Sequence, residues 1–262
     1  MTDAPFVATQ LDAVRVISID DAPYNRMSLD FMDQLEKEVE AIATDEGTRA
    51  VVITGEGTEN FSVGMNLKEL GAGMAERGGP DAIFDQRLKV LGAIENMGKP
   101  WVATLYGYCL GGGLELPLAC HFRVAAETGA QIGLPEADLG SVPAWGGSAR
   151  LCKQVGSTNA LDMILRAKKI SGPEAFRIGL VNEVWPLDEL KEKAIALAQE
   201  LAAAPRMTVK TMMENLVHGD EKSLDELIRL EREAIHACNG TPDAKEGIMA
   251  FLEKREPVFN QN

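Results

Sequence analysis

The sequence predicts an α/β core followed by an all-helical tail. Three observations carry this reading. Strand-like and helix-like segments alternate over the first two thirds of the chain, turn signals rich in glycine and proline separate them, and from Leu187 onward the long patterns are helical. In order, Val14 to Ile19 alternates in the β manner, and Leu29 to Ile42 places Leu29, Met32, Leu35, Val39 and Ile42 on one helical face. Ala50 to Thr54 is a β-branched run ending at the turn Gly55-Glu56-Gly57. Gly71 to Pro80 is rich in glycine and is expected to be a mobile loop. Ile83 to Ile94 reads as a helix and Pro100 to Tyr106 as a strand, with further short strands at Phe122 to Ala125 and Val181 to Val184. Leu187 to Leu201 is a charged amphipathic helix ended by Ala204-Pro205. Thr208 to Val217, Ser223 to Cys238 and Pro242 to Lys254 follow as helices, with Gly219 and Gly240 as stops. These tail helices carry more apolar surface than one small unit can bury alone, so they are expected to pack on the core or on another subunit.

Composition narrows the function. A length of 262 residues suits one large domain, or one domain with an appendage. No apolar run approaches the roughly 20 residues that span a bilayer. The start, Met1-Thr2-Asp3-Ala4-Pro5, lacks a basic and apolar leader, so the mature chain is expected to begin near Met1 in a cytoplasm-like compartment. A net charge of −14 disfavours nucleic-acid binding. Cys109, Cys120, Cys152 and Cys238 show no C-x-x-C spacing and are expected to be buried free thiols. His121, His218 and His236 have no ligand spacing, so no metal site is expected.

Three glycine-rich segments can carry chemistry. Gly111-Gly112-Gly113 lies between a strand and the apolar stretch Leu114 to Cys120, where free N–H groups at a helix start can hold a developing negative charge on oxygen. Glu115 lies about one helical turn after Gly112 among apolar neighbours, where a carboxylate is costly unless paired or functional; the competing reading is an acid that merely favours the helix dipole. Glu136 follows Pro135 and precedes the loop Leu139 to Gly147, and by itself reads more readily as a solvated cap or loop acid. Phe61 to Lys68 contains Gly64 and offers another backbone N–H. No G-K-S/T follows any of these glycines, so none is a nucleotide P-loop.

Taken together, FSVGMNLKEL, GYCLGGGLEL, LPEADLGSVPAWGGSARL, ISGPEAFRIGLVNEV and EGIMAFLEKREPVF resemble the crotonase superfamily, specifically its enoyl-CoA hydratase/isomerase group, in order and over almost the whole chain. The resemblance implies a spiral of ββα units over residues 1–200 holding an acyl-CoA site. It also implies a helical region over 201–262 that packs on the core and makes trimer contacts, in a homotrimer or homohexamer. The backbone N–H groups of Met65 and Gly112 would form the oxyanion hole. Glu115 would orient and activate water, and Glu136 would exchange the proton at Cα. Having both acids favours hydration over double-bond isomerisation. Arg26, Lys68 and Lys254 match positions near coenzyme A, with Asn66, Leu67 and Trp145 beside the substrate; coenzyme A is part of the substrate and no separate cofactor is implied.

This chain departs from the family pattern in four places. Asn66 and His121 stand where Asp is usual, Trp145 stands where the hydratases commonly have a small residue, and Pro23 to Leu29 lacks the usual Asn before its helix. The competing readings are another acyl-CoA reaction (double-bond isomerisation, or C–C or thioester cleavage) and a non-catalytic RNA-binding or scaffold homologue.

Overall fold

The computed structural model describes residues 4–260, so the expectation about a start near Met1 lies outside the described residues. Eight strands are present: β1 (Phe6–Leu11), β2 (Val14–Ile19), β3 (Ala50–Gly55), β4 (Trp101–Leu105), β5 (Tyr108–Leu110), β6 (Phe122–Ala126), β7 (Gln131–Gly133) and β8 (Glu183–Trp185). The helices through the core are α1 (Leu29–Thr44), α2 (Leu70–Glu76), α3 (Pro80–Glu95), α4 (Gly112–Ala119), α5 (Gly147–Leu165), α6 (Gly172–Arg177) and α7 (Leu187–Ala203). The tail holds α8 (Arg206–Leu216), α9 (Leu224–Cys238) and α10 (Pro242–Glu253).

The main sheet runs β1-β2-β3-β4-β6-β8, with an antiparallel hairpin at its β1 edge and parallel pairing elsewhere. Every residue of β3 and β4 is buried, as apolar strands covered on both faces require. Helix α7 lies across β2, β3, β4, β6 and β8, and its buried Ala194, Ala198 and Ala202 let it approach the sheet closely. The five apolar residues predicted to share a face of α1 are all buried, and Ser28 caps that helix by accepting from Phe31 N–H.

A second, two-stranded sheet positions the site. β5 pairs in parallel with β7, setting Leu110 opposite Gly133, and an isolated bridge joins Ser62 to Cys109. The segment after Phe61, the glycines after β5 and the loop after β7 are thereby brought side by side.

Three expectations need correction. Gly71 to Pro80 is not a loop throughout: residues 70–76 form α2, and Pro80 opens α3 as a first-turn proline. The last strand falls two residues later than predicted, because Leu180 and Val181 are buried in the turn closing α6, with both amides donating to Ala175 O. Cys109 and Cys120 are buried, but Cys152 is exposed on α5 and Cys238 is half-buried. Helix α5 is kinked where Gly156 takes φ +76°. His121 is held within the fold: its Nδ1 accepts from Trp101 N–H and its Nε2 lies 3.1 Å from Glu95 O. Among the described residues no helix is long and apolar enough to cross a membrane.

Candidate active site

The three juxtaposed segments open onto a cavity of about 440 Å³ whose walls include Met65, Gly112, Glu115, Glu136 and Trp145. Gly111 takes φ +54° at the start of α4, a conformation that suits glycine, and its amide donates to Gly133 O across the β5–β7 junction. The turn leaves the Gly112 N–H at the first position of α4, where no intrahelical acceptor exists. A Cβ on Gly64 would stand 3.1 Å from Gly112 N and 2.6 Å from Leu110 O, so the Gly64-Met65 backbone runs directly against the head of α4. Met27 N–H donates to Gly64 O and Asn66 N–H to Met27 O, a bridge that fixes Met65 between them. Two backbone amides predicted to work together are therefore neighbours at one cavity wall.

Glu115 is 2% exposed. Its Oε1 accepts from Trp145 N–H at 2.7 Å and Gly147 N–H at 3.0 Å. Burial pushes its pKa up to about 7; the two amides pull against this and the neighbouring Glu136 charge adds to it. Glu136 opens a 3-10 turn (Glu136–Leu139) and is half-buried. Its Oε2 is buried with no hydrogen-bond partner among the described residues, and burial raises its pKa too. A Cβ on Gly111 would meet Glu136 Oε1 at 2.9 Å, so this carboxyl group sits beside the turn that presents the Gly112 amide.

Trp145 is buried and its ring edge lies on Gly112, where a Cβ would come within 2.5 Å of it. It is thus both a cavity wall and, through its amide, a clamp on Glu115. Arg150, which the sequence reading passed over, holds this loop: its Nη1 donates to Trp145 O at 2.9 Å and its Nη2 pairs with Glu95 at 2.8 Å. The remaining walls include Met74 of α2 and Phe84 of α3.

The other predicted residues are spread more widely. Leu67 is exposed and lines the cavity. The Asn66 side-chain amide donates to Glu69, whose other oxygen accepts from Leu29 N–H at the start of α1. Lys68 is exposed in the 3-10 turn Leu67–Glu69 and lines a separate surface depression with Glu69 and Arg77. Arg26 is paired with Asp21 at 2.6 Å and lies over the Tyr24 ring, one residue from the Met27–Met65 bridge. Lys254 is exposed at the C-terminal cap of α10 and is not a wall of the cavity.

The sequence model of the enoyl-CoA hydratase/isomerase family matches residues 9–262. The chain belongs to that family. It is 38% identical over 250 residues to a probable enoyl-CoA hydratase of Bacillus subtilis, covering 94% of this chain and 95% of the relative. It is 34% identical over 235 residues to a crotonyl-CoA hydratase of Syntrophomonas wolfei, covering 90% and 89%. Among solved structures, an enoyl-CoA hydratase from Geobacillus kaustophilus superposes with a TM-score of 0.92 at 29% identity, covering 100% of this chain and 98% of the other. One from Bacillus anthracis gives 0.90 at 32%, covering 98% and 100%. The α/β fold with its mixed sheet is therefore the crotonase fold.

Proposed function

We propose that this protein is an enoyl-CoA hydratase, adding water across the Cα–Cβ double bond of a 2-enoyl-CoA. The observation that carries this is the pairing of two glutamates, Glu115 and Glu136, in one cavity with the adjoining Met65 and Gly112 amides. The thioester oxygen is held by those two N–H groups. Water oxygen bonds Cβ while Glu115, as the carboxylate, takes the water proton; the C=C electron pair moves onto the thioester oxygen as an enolate. Donors aimed at that oxygen stabilise it by roughly 3 kcal/mol each. The enolate then collapses as Glu136, as the acid, delivers a proton to Cα. Glu115 ends protonated and Glu136 ionised, and one proton exchanged through solvent restores the pair.

The role assignment follows the two acidic positions that the family resemblance matches, and the two amides on Glu115 work toward it against the burial that raises that group to about 7. Two N–H donors on Glu115 favour its charged form, whereas the unpartnered Oε2 of Glu136 favours the neutral one. The two groups titrate as a pair. No cofactor enters this reaction, since coenzyme A arrives as part of the substrate. Arg26, Lys68 and Lys254 are assigned to the nucleotide end of coenzyme A, with Lys254 reaching a neighbouring subunit's ligand. The exposed Leu224, Ile228 and Ile235 of α9 and Ile248, Phe251 and Leu252 of α10 supply apolar faces for a homotrimer or a hexamer built from two trimers. A cytoplasmic location goes with this reading.

Purified protein incubated with crotonyl-CoA should yield a product heavier by one water. Glu115→Gln and Glu136→Gln should each lose this activity. A wild-type product of unchanged mass, or full activity in both variants, would overturn the reading.

A further inference from the structure

The loop from Trp145 to Gly147 is gripped by two side chains of opposite charge. Glu115 takes its amides: Oε1 accepts from Trp145 N–H and from Gly147 N–H. Arg150, on α5, takes a carbonyl of the same loop, donating from Nη1 to Trp145 O at 2.9 Å. The other two donors of its fork, Nε and Nη2, bond one oxygen of Glu95, the last residue of α3, at 3.1 and 2.8 Å. Glycine makes room for both grips. A Cβ on Gly146 would meet Arg150 Nη1 at 2.5 Å, and one on Gly147 would meet Glu115 Cγ at 2.6 Å. Arg150 is not a wall of the acyl cavity; it lines a separate groove with Glu95. Most of both side chains is buried, so their charges are screened less than those of surface ions.

A neutral side chain could brace this loop, but a cation does something more. Burial and the Glu136 charge both disfavour ionised Glu115, and the Arg150 charge favours it. Other titratable groups border the pair. Glu136 faces Glu115 from the turn after β7, and Arg87 of α3 lies 5.2 Å from the centroid of the Trp145 ring. In the groove that Arg150 lines, Lys153 is paired with Asp220 and Glu221, and Arg123 donates to three backbone carbonyls. His121 in the same groove is neutral, because burial lowers its pKa to about 4. Among the described residues, Arg150 is the one of these cations that hydrogen-bonds the loop holding Glu115.

We infer that Arg150 is a positioning residue for hydration: with Glu95 it fixes the Trp145–Gly147 loop on Glu115, and its charge keeps that water-activating carboxylate ionised. This rests on the hydratase reading above. Arg150 acts through Glu115, since it does not line the cavity that takes the substrate. The opposing charge of Glu95 tempers it, so the two members of the pair pull the ionisation of Glu115 in opposite directions.

The pH profile of crotonyl-CoA hydration separates charge from scaffolding. Arg150→Gln keeps a donor for Trp145 O but loses the charge, so the midpoint of the acid limb of kcat/KM should rise by about half a pH unit or more. Arg150→Lys keeps the charge but loses the fork; kcat should fall about tenfold with the midpoint near its wild-type value. Glu95→Gln keeps the shape and removes the opposing charge, so its midpoint should fall. KM should stay within about twofold of wild type in all three, because no substrate contact is removed. An unmoved midpoint in Arg150→Gln, an equal rise or a wild-type kcat in Arg150→Lys, or a midpoint that fails to fall in Glu95→Gln would overturn the proposal. Glu95→Gln decides if Arg150→Gln fails to fold. Infrared titration of the Glu115 carboxyl, identified by its loss in Glu115→Gln, reads the same shifts without turnover. Those shifts without hydration would sink only the hydratase reading, and hydration without the shifts would sink only this inference.

Discussion

Glu115 and Glu136 reach one cavity from two different kinds of backbone. Glu115 projects from the first turn of a helix packed on all sides, and one of its oxygens is pinned by two amides of the loop that follows β7. Glu136 heads a short 3-10 turn leading into exposed residues, and one of its oxygens has no partner among the described residues. Burial raises the pKa of both, to about 7 at Glu115; the Trp145 and Gly147 amides resist the shift at Glu115, and the backbone N–H of Glu136 resists it there. The proposed division of labour, with Glu115 as the carboxylate and Glu136 as the acid, rests on this difference in local architecture.

The largest test of that contrast is to remove the titrating proton while keeping the shape. Glu136→Gln should lower kcat on crotonyl-CoA by about 10³- to 10⁴-fold, the upper part of the range for general acid–base catalysis. Glu115→Gln should cost less, about 10²- to 10³-fold, because Gln can still accept from the Trp145 and Gly147 amides and orient water. KM should change little in either. Equal losses would break the division of roles.

The next effect concerns the amides that both acids serve. Gly112→Ala would drive a methyl group into the Trp145 ring and displace the oxyanion donor, so kcat should fall by about 10²-fold with the fold intact. A fall confined to KM would place the Gly112 amide outside the transition state. Wild-type kcat/KM should also decline as the pH drops below about 7, where Glu115 takes up a proton and can no longer accept one from water. A flat profile between pH 5 and 8 would show that Glu115 works in its neutral form.

Much of this site was legible beforehand, for a physical reason. Backbone oxyanion donors need glycine turns, and a carboxylate among leucines is anomalous, so Gly112 and Glu115 stood out in a single segment. What stayed hidden depended on tertiary packing. An arginine in an amphipathic helix reads as a solvated face, and nothing local reveals that Arg87 is buried against Trp145. Glycines at 71, 73, 78 and 79 masked α2. Three-residue strands such as β5 and β7 are too short for periodicity to register, although their pairing is what aligns Glu136 with Gly112. Trp145 was recognised as unusual, but its double role, with its ring on Gly112 and its amide on Glu115, is visible only in three dimensions.

The smallest effect is on stability, and it isolates burial from chemistry. Glu115 has a folded pKa of about 7 against an ordinary 4.5. Between those values the native state binds more protons than the unfolded state. Stability from this group therefore falls as pH rises through that window and stays low above it. The full difference is worth at most about 3 kcal/mol. Glu115→Gln is uncharged throughout and keeps its acceptor oxygen for both amides. It should therefore unfold at higher urea than wild type at pH 8 and converge with it near pH 4.5. Glu136→Gln should show the same sign but a smaller gain, since that side chain is only half-buried. Equal gains at pH 8 in the two variants would mean that the helix site and the loop site desolvate their carboxyl groups alike. The difference in their roles would then have to come from the two amides on Glu115 alone.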